Sequence, residues 1–285
     1  MTSLLQATIH LFLIALLVSL IMSSLLRIFC SLNYFLGLEA TFTTNGLFLS
    51  QLKYARDILT QAQLLDNKPV YTPMVVSQHL SSDGPLFSDP TLYRSLVGAL
   101  QYLTITRLDI SYAVNSISQF LHSPTEDHFL AVKRILRYVK GTLHFGLTFN
   151  PCATLGALVA YSDAGWVECP NTRRSISGYS IYLGDNFVSW SAKKQPIVSR
   201  SSYEFEYRAL SLTTVKLLWL THLLHDLRIS LLQQPLLLCD NKSAIFLSSN
   251  PVSHKRAKHV ELDYHFLCEL VVAGKLHTQY ILSHL

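Results

Sequence analysis

Two kinds of side chain in this sequence are spaced so that they could act on phosphate-bearing molecules. One is a set of acids at the ends of apolar runs; the other is a cation repeated along one helix face. Asp163 closes the alternating run ALVAYSD, and Asp240 follows the apolar run LLLC. Each could cap its strand end or the helix after it, or offer a carboxylate to a cation. Glu204 and Glu206 lie two positions apart in a helix-forming stretch, which turns them about 200° away from each other. Only one of them can join a shared cluster. Glu204 has Arg208 at i+4, a surface ion-pair spacing, whereas Glu206 lies on the side of Leu210, Thr213 and Leu217.

The cations read similarly. Lys133, Arg137 and Lys140 fall at i, i+4 and i+7, opposite Val132, Ile135, Leu136 and Val139. Such a basic, amphipathic helix is either a solvated face or a contact along the phosphates of a duplex, which would make affinity salt-dependent. Arg173, Arg174, Lys193 and Lys194 sit around predicted hairpins, where a basic loop can equally be solvated or touch a nucleic-acid backbone. The five cysteines are scattered and odd in number, without a zinc-type pairing; they read as reduced, intracellular thiols.

Elements to position these groups are legible from Ser31 onward. Residues 34–39 (YFLGLE) read as a strand, Gly46 as a turn and residues 48–59 (FLSQLKYARDIL) as a helix with Leu52, Ala55, Ile58 and Leu59 on one face. After a Pro-containing connector, helices are predicted from Thr91, Asp109 and Thr125; the last has Pro124 before its cap and Gly141 at its end. From Leu155 the pattern changes to three hairpin-linked strands ending at Lys194. A long helix over residues 201–227, the strand PLLLCDN, a short helix from Lys242, a helix from His259 to about Val272 and the strand LHTQYIL complete the order.

Composition narrows the class only mildly. At 285 residues two ordinary domains fit. The net charge of +5 favours an acidic partner such as nucleic acid. A charged fraction of 14% against 49% hydrophobic residues reflects an apolar N-terminus: Met1 to Leu26 carries no charge, a stretch close to the length of a membrane-spanning helix. It has no basic segment before it and no small-residue cleavage site, so a cleaved signal peptide fits poorly.

The motifs YFLGLE, LSQLKYARDIL, YRSLVGALQYLT, DISYAVNSISQFLHSPTEDH, AVKRILRYVKGT, YSDAGW, TRRSISGY, WSAKKQ, VSRSSYEFEYRAL, CDNKSA and NPVSHKRAKHVELDYHF occur in one order between Tyr34 and Phe266. In that order they resemble copia-type retrotransposon Pol polyproteins, covering the C-terminal part of the reverse transcriptase and its RNase H domain. Codons compatible with residues 1–9, read one base earlier, spell a segment that resembles the paired aspartates of a reverse transcriptase. Residues 1–30 are therefore expected to be frameshifted palm sequence, with the membrane helix as the competing reading.

The resemblance implies an α/β fold: an RNase H-like mixed-sheet domain over residues 151–285, preceded by a mostly helical reverse-transcriptase thumb or connection remnant over residues 31–150. It implies cleavage of the RNA strand of RNA:DNA hybrids with two Mg²⁺ or Mn²⁺ ions, held by Asp163, Glu206 and Asp240. Such hard cations need several anionic oxygens converging on one point. The family has Thr and Ala where this chain has Tyr203 and Phe205, and Asp-Trp-Ala where it has Gly165, Trp166 and Val167. The family's fourth carboxylate follows the last strand, beyond Leu285. Asp263 would be a substitute, but its place in a predicted helix makes it solvent-facing, and His259 and His265 receive no catalytic role because these ions prefer oxygen. No small-molecule substrate and no polymerase activity are expected, and the compartment is expected to be intracellular, cytoplasm or nucleus. The alternatives are a catalytically inactive nucleic-acid-binding remnant and a membrane-anchored RNase H-like protein.

Overall fold

The computed structural model describes residues 34–44, 46–75, 80–150, 156, 158–165, 173–199, 201–250 and 261–282. The expectations for residues 1–30 and for Trp166, Val167 and His259 lie outside the described residues. The described chain forms two compact units that divide between Thr148 and Phe149.

In the first unit, β1 (Tyr34–Phe35), β2 (Leu38–Thr43) and β3 (Gly46–Ser50) pair antiparallel, with β4 (Leu147–Phe149) beyond β3. The expected single strand over residues 34–39 is instead two, because Leu36 and Gly37 both have positive φ and turn the chain. The helix expected from Phe48 begins later, as α1 (Leu52–Gln61). Phe48, Leu49 and Ser50 pair with Thr41, Ala40 and Glu39. The buried Leu47 and Leu49 carry the period of two that a strand needs, and it overrides the helical spacing that begins at Leu52.

Helices α2 (Pro90–Leu103), α3 (Ser111–Ser118) and α4 (Glu126–Gly141) pack with α1 around one apolar core. The Asp89 carboxylate accepts from the Thr91 and Leu92 amides at the start of α2, satisfying donors that a helix leaves open. Thr125 and His128 cap α4 reciprocally. Asp109 does not open a long helix; its carboxylate takes two hydrogen bonds from the buried Arg107 guanidinium, at 2.9 and 2.7 Å.

The second unit holds β5 (Leu158–Gly165), β6 (Ile176–Leu183), β7 (Asn186–Lys194), α5 (Ser202–Asp226), β8 (Leu236–Cys239), α6 (Lys242–Ser249), α7 (Glu261–Val272) and β9 (His277–Tyr280). The sheet order is β7-β6-β5-β8-β9. β5, β6 and β7 are antiparallel neighbours, whereas β8 runs parallel to β5 and β9 parallel to β8. This is the RNase H-like mixed sheet that the sequence leads one to expect.

Helix α5 lies over β5 on the face of Leu158, Ala160, Ser162 and Ala164. Phe205 and Ala209 pack on Ala164, and the Thr213 hydroxyl meets the Ser162 hydroxyl at 3.2 Å. A helix rises about 1.5 Å per residue, so these contacts fix the first turns of α5 beside the carboxyl end of β5.

Candidate active site

The parallel pairing of β5 and β8 brings the two strand-end aspartates together. Tyr161 is level with Leu238 in the register; two residues further along the chain lie Asp163, still in β5, and Asp240, just past the end of β8. Glu206 reaches the same place from α5, because the Phe205 and Ala209 packing seats that turn over Ala164. Only Glu206, Cys239 and Asp240 form a compact set among the described residues: one ligand atom from each lies within 4.8 Å of the others. Asp163 falls outside that set, yet its charge acts on Glu206.

The local electrostatics follow from this crowding. Glu206 is 6% exposed; burial, then the charges of Asp163 and Asp240, push its carboxyl up to about 8. A thiol and a backbone amide partly offset the shift: Cys239 Sγ donates to Oε2 at 3.9 Å and the Ala164 amide also donates to the carboxylate. The Cys239 thiol is in turn pushed up to about 12, chiefly by burial. Metal-free, the site thus holds protons at neutral pH. A cation arriving there would favour the ionised forms instead.

Cys239 is not among the site residues that the sequence suggests, because the five cysteines are scattered along the chain. Consecutive strand residues ordinarily point to opposite faces. Here Cys239 ends β8 and the chain turns at once into Asn241, whose side chain caps α6 through the Ala244 amide at 3.0 Å. That turn lets neighbours in sequence reach one point. The available signal was the junction of a strand end with an N-cap in CDNKSA.

Two acids lie elsewhere than expected. Glu204 is not a surface residue: it is 3% exposed in the first turn of α5, where the helix dipole favours a negative charge. Asp263 does not simply face solvent; it accepts from the Ser211 hydroxyl at 2.9 Å. His265 is exposed beside Tyr264.

The basic candidates fall into two groups. On α4 of the first unit, Arg137 Nε donates to the Lys68 carbonyl at 2.7 Å, Lys140 Nζ to the Asn67 carbonyl at 2.6 Å, and Lys133 Nζ lies 4.7 Å from the Phe129 ring centre. This face therefore holds the connector that follows α1, while its charges meet no carboxylate among the described residues. In the second unit, Arg173 and Arg174 precede β6. Lys193 and Lys194 on β7 stand across Ser177 and Ile176 from Ala164 and Gly165. The two lysines thus lie at the end of the sheet where Asp163 lies, and the two arginines immediately precede the start of β6 at that end. A residue the sequence did not suggest adjoins them: Lys216 of α5, whose ammonium sits 3.8 Å from the Trp219 ring centre and is pushed down to about 8 by burial and by Lys193.

Among the described residues no helix is long and apolar enough to cross a membrane.

No protein-family model matches the chain. Individual relatives do. It is 47% identical over 254 residues to a retrovirus-related Pol polyprotein from transposon RE1 of Arabidopsis thaliana, covering 89% of this chain and 17% of that one. It is 51% identical over 187 residues to an uncharacterized mitochondrial protein of the same plant, covering 66% of this chain and 78% of that protein. Among solved structures, an RNase H1 isolated from compost by a metagenomic approach aligns with a TM-score of 0.35 and 15% identity, over 45% of this chain and 86% of that one. The chain thus spans about a sixth of the length of the transposon polyprotein it matches.

Proposed function

Because the chain belongs to the retrovirus-related Pol polyproteins of copia-type transposons, we propose that its second unit acts as a metal-dependent ribonuclease H. In this reading residues 31–150 are the C-terminal part of a reverse transcriptase and residues 151–285 the nuclease domain, acting on the RNA strand of an RNA:DNA hybrid. The observation that carries it is the convergence of Glu206 and Asp240, with Asp163 close enough to act on Glu206, at the shared carboxyl ends of two parallel strands.

The donor set fits a hard divalent cation, since two carboxylates meet and the buried one is raised by its partner and by Asp163 nearby. Asp163, Glu206 and Asp240 would hold Mg²⁺ or Mn²⁺, which when bound supplies charge to activate a water and to stabilise the leaving oxygen of a phosphodiester. The chain's own residues do the rest. Glu206 carries a proton in the metal-free protein and releases it on ionisation. Asp163, exposed on β5, faces the incoming backbone. Arg173, Arg174, Lys193 and Lys194 place positive charge at the same end of the sheet and orient phosphates without reading sequence. On α4, Lys133, Arg137 and Lys140 add positive charge that a nucleic-acid backbone would meet in the first unit.

The test is cleavage by the full chain of a hybrid labelled on either strand. The RNA strand alone should be cut, only with Mg²⁺ or Mn²⁺ present, and Glu206→Gln should slow it by roughly 10-fold or more. Cutting that persists in chelator, or that ignores the Glu206 change, contradicts the reading.

A further inference from the structure

The compact donor set at this site is not purely carboxylate. Cys239 Sγ, a Glu206 carboxylate oxygen and an Asp240 carboxylate oxygen lie mutually within 4.8 Å. Sulfur is a poor ligand for Mg²⁺ and a good one for Zn²⁺ and Cd²⁺.

Three features separate this cysteine from a mere packing residue. Its thiol donates to a carboxylate oxygen, Glu206 Oε2, at 3.9 Å. The Asn241 amide donates to the same sulfur at 3.3 Å, so a polar group as well as a carboxylate addresses it. Finally, Glu206 is 6% exposed and forms no ion pair with a cation among the described residues. Among the described residues this buried carboxylate is supported by a thiol and an amide and by no cation, which leaves the site short of positive charge.

We propose that Glu206, Cys239 and Asp240 form a site for a thiophilic divalent cation, Zn²⁺ being the physiological candidate. The inference deepens the reading of this site as a divalent-metal centre: one pocket accepts hard ions through its oxygens alone and soft ions through oxygens plus sulfur. The two modes share Glu206 and Asp240, so they exclude each other. A soft ion would therefore displace Mg²⁺ and hold the chain in a thiolate-bound state. Binding through Sγ releases the thiol proton to solvent.

The test uses Cd²⁺ as the probe, titrated into the full, reduced chain while sulfur-to-metal charge-transfer absorption is followed in the ultraviolet. The wild-type chain should show a saturable band that Zn²⁺ removes by competition. Cys239→Ser and Cys239→Ala should both lose it while near-ultraviolet circular dichroism reports an intact fold. Glu206→Gln should retain the thiol and weaken Cd²⁺ binding by roughly 10-fold or more. A band that survives both Cys239 changes belongs to another cysteine and overturns the proposal, as does a folded wild-type chain with no band. The readout is independent of cleavage. A chain that binds Cd²⁺ through Cys239 and never cuts a hybrid loses the nuclease reading and keeps this one; a chain that cuts and shows no Cys239-dependent band does the reverse.

Discussion

The Cys239 thiol donates to Glu206 Oε2 at 3.9 Å, joining the end of β8 to α5 across a separation of 33 residues. Around that contact burial and two neighbouring carboxylates set the protonation of the site. In the metal-free protein Glu206 is raised from 4.5 to about 8. The folded state then binds more protons than the unfolded one between those values. Stability contributed by this group is full below the unfolded value and is lost as pH rises through the folded one. Urea unfolding in chelator should reveal a loss of about 2–4 kcal/mol across that window. Glu206→Gln should flatten the profile; an unchanged slope in that variant would place the pH dependence elsewhere.

Metal should reverse the penalty. A divalent ion that binds only the folded chain stabilises it by about 2.7 kcal/mol at a concentration 100 times its Kd. The thermal midpoint should therefore rise with Mg²⁺ or Mn²⁺, and more at alkaline than at acid pH because the ligands must be ionised. Asp240→Asn should blunt the rise. Equal midpoints with and without the ion in the wild-type chain would contradict a site here.

The first unit offers a purely steric prediction. A Cβ added at Gly146 would lie 2.3 Å from the Leu49 carbonyl oxygen and 2.7 Å from the Phe48 ring. No rotamer relieves a clash with backbone, so Gly146→Ala should destabilise by about 1–3 kcal/mol. Chemical denaturation measures it directly, and a change below about 0.5 kcal/mol would mean that this part of the chain yields.

The two basic groups should behave differently. Lys193→Ala should weaken hybrid binding evenly across sequences and lower the salt slope by about 1, with little change in stability. Arg137→Ala removes a hydrogen bond to the Lys68 carbonyl and should cost about 0.5–1.5 kcal/mol of stability. Binding titrations at several salt concentrations, paired with denaturation, distinguish a phosphate contact from a structural one.

Much of the fold was legible because the relevant residues alternate cleanly. Leu158, Ala160, Ser162 and Ala164 are buried on β5 while Tyr161 and Asp163 are exposed, as the pattern ALVAYSDAG implies. Thr125 caps its helix as read. On α5, helical geometry separated Glu204 from Glu206, and Glu206 is the one that meets Asp240. Glu204 is buried rather than on the surface, because its Arg208 spacing carries no information about what covers the first turn. Cys239 was hidden for a different reason: its role depends on a turn that lets two consecutive residues face one way, and on α5 crossing above it. Phe48 to Ser50 went to a strand rather than a helix because partners on β2, absent from any local window, decided the contest.

The most direct measurement is cleavage of a labelled RNA:DNA hybrid by the full chain in Mg²⁺ or Mn²⁺, beside Asp163→Asn. Asp163 is exposed at the end of β5, so the change leaves the core intact. The wild-type chain should cut the RNA strand, while the variant binds the hybrid and leaves it whole. Equal cutting by both, or none by a folded wild-type chain, would contradict the assignment of this carboxylate site as a nuclease centre.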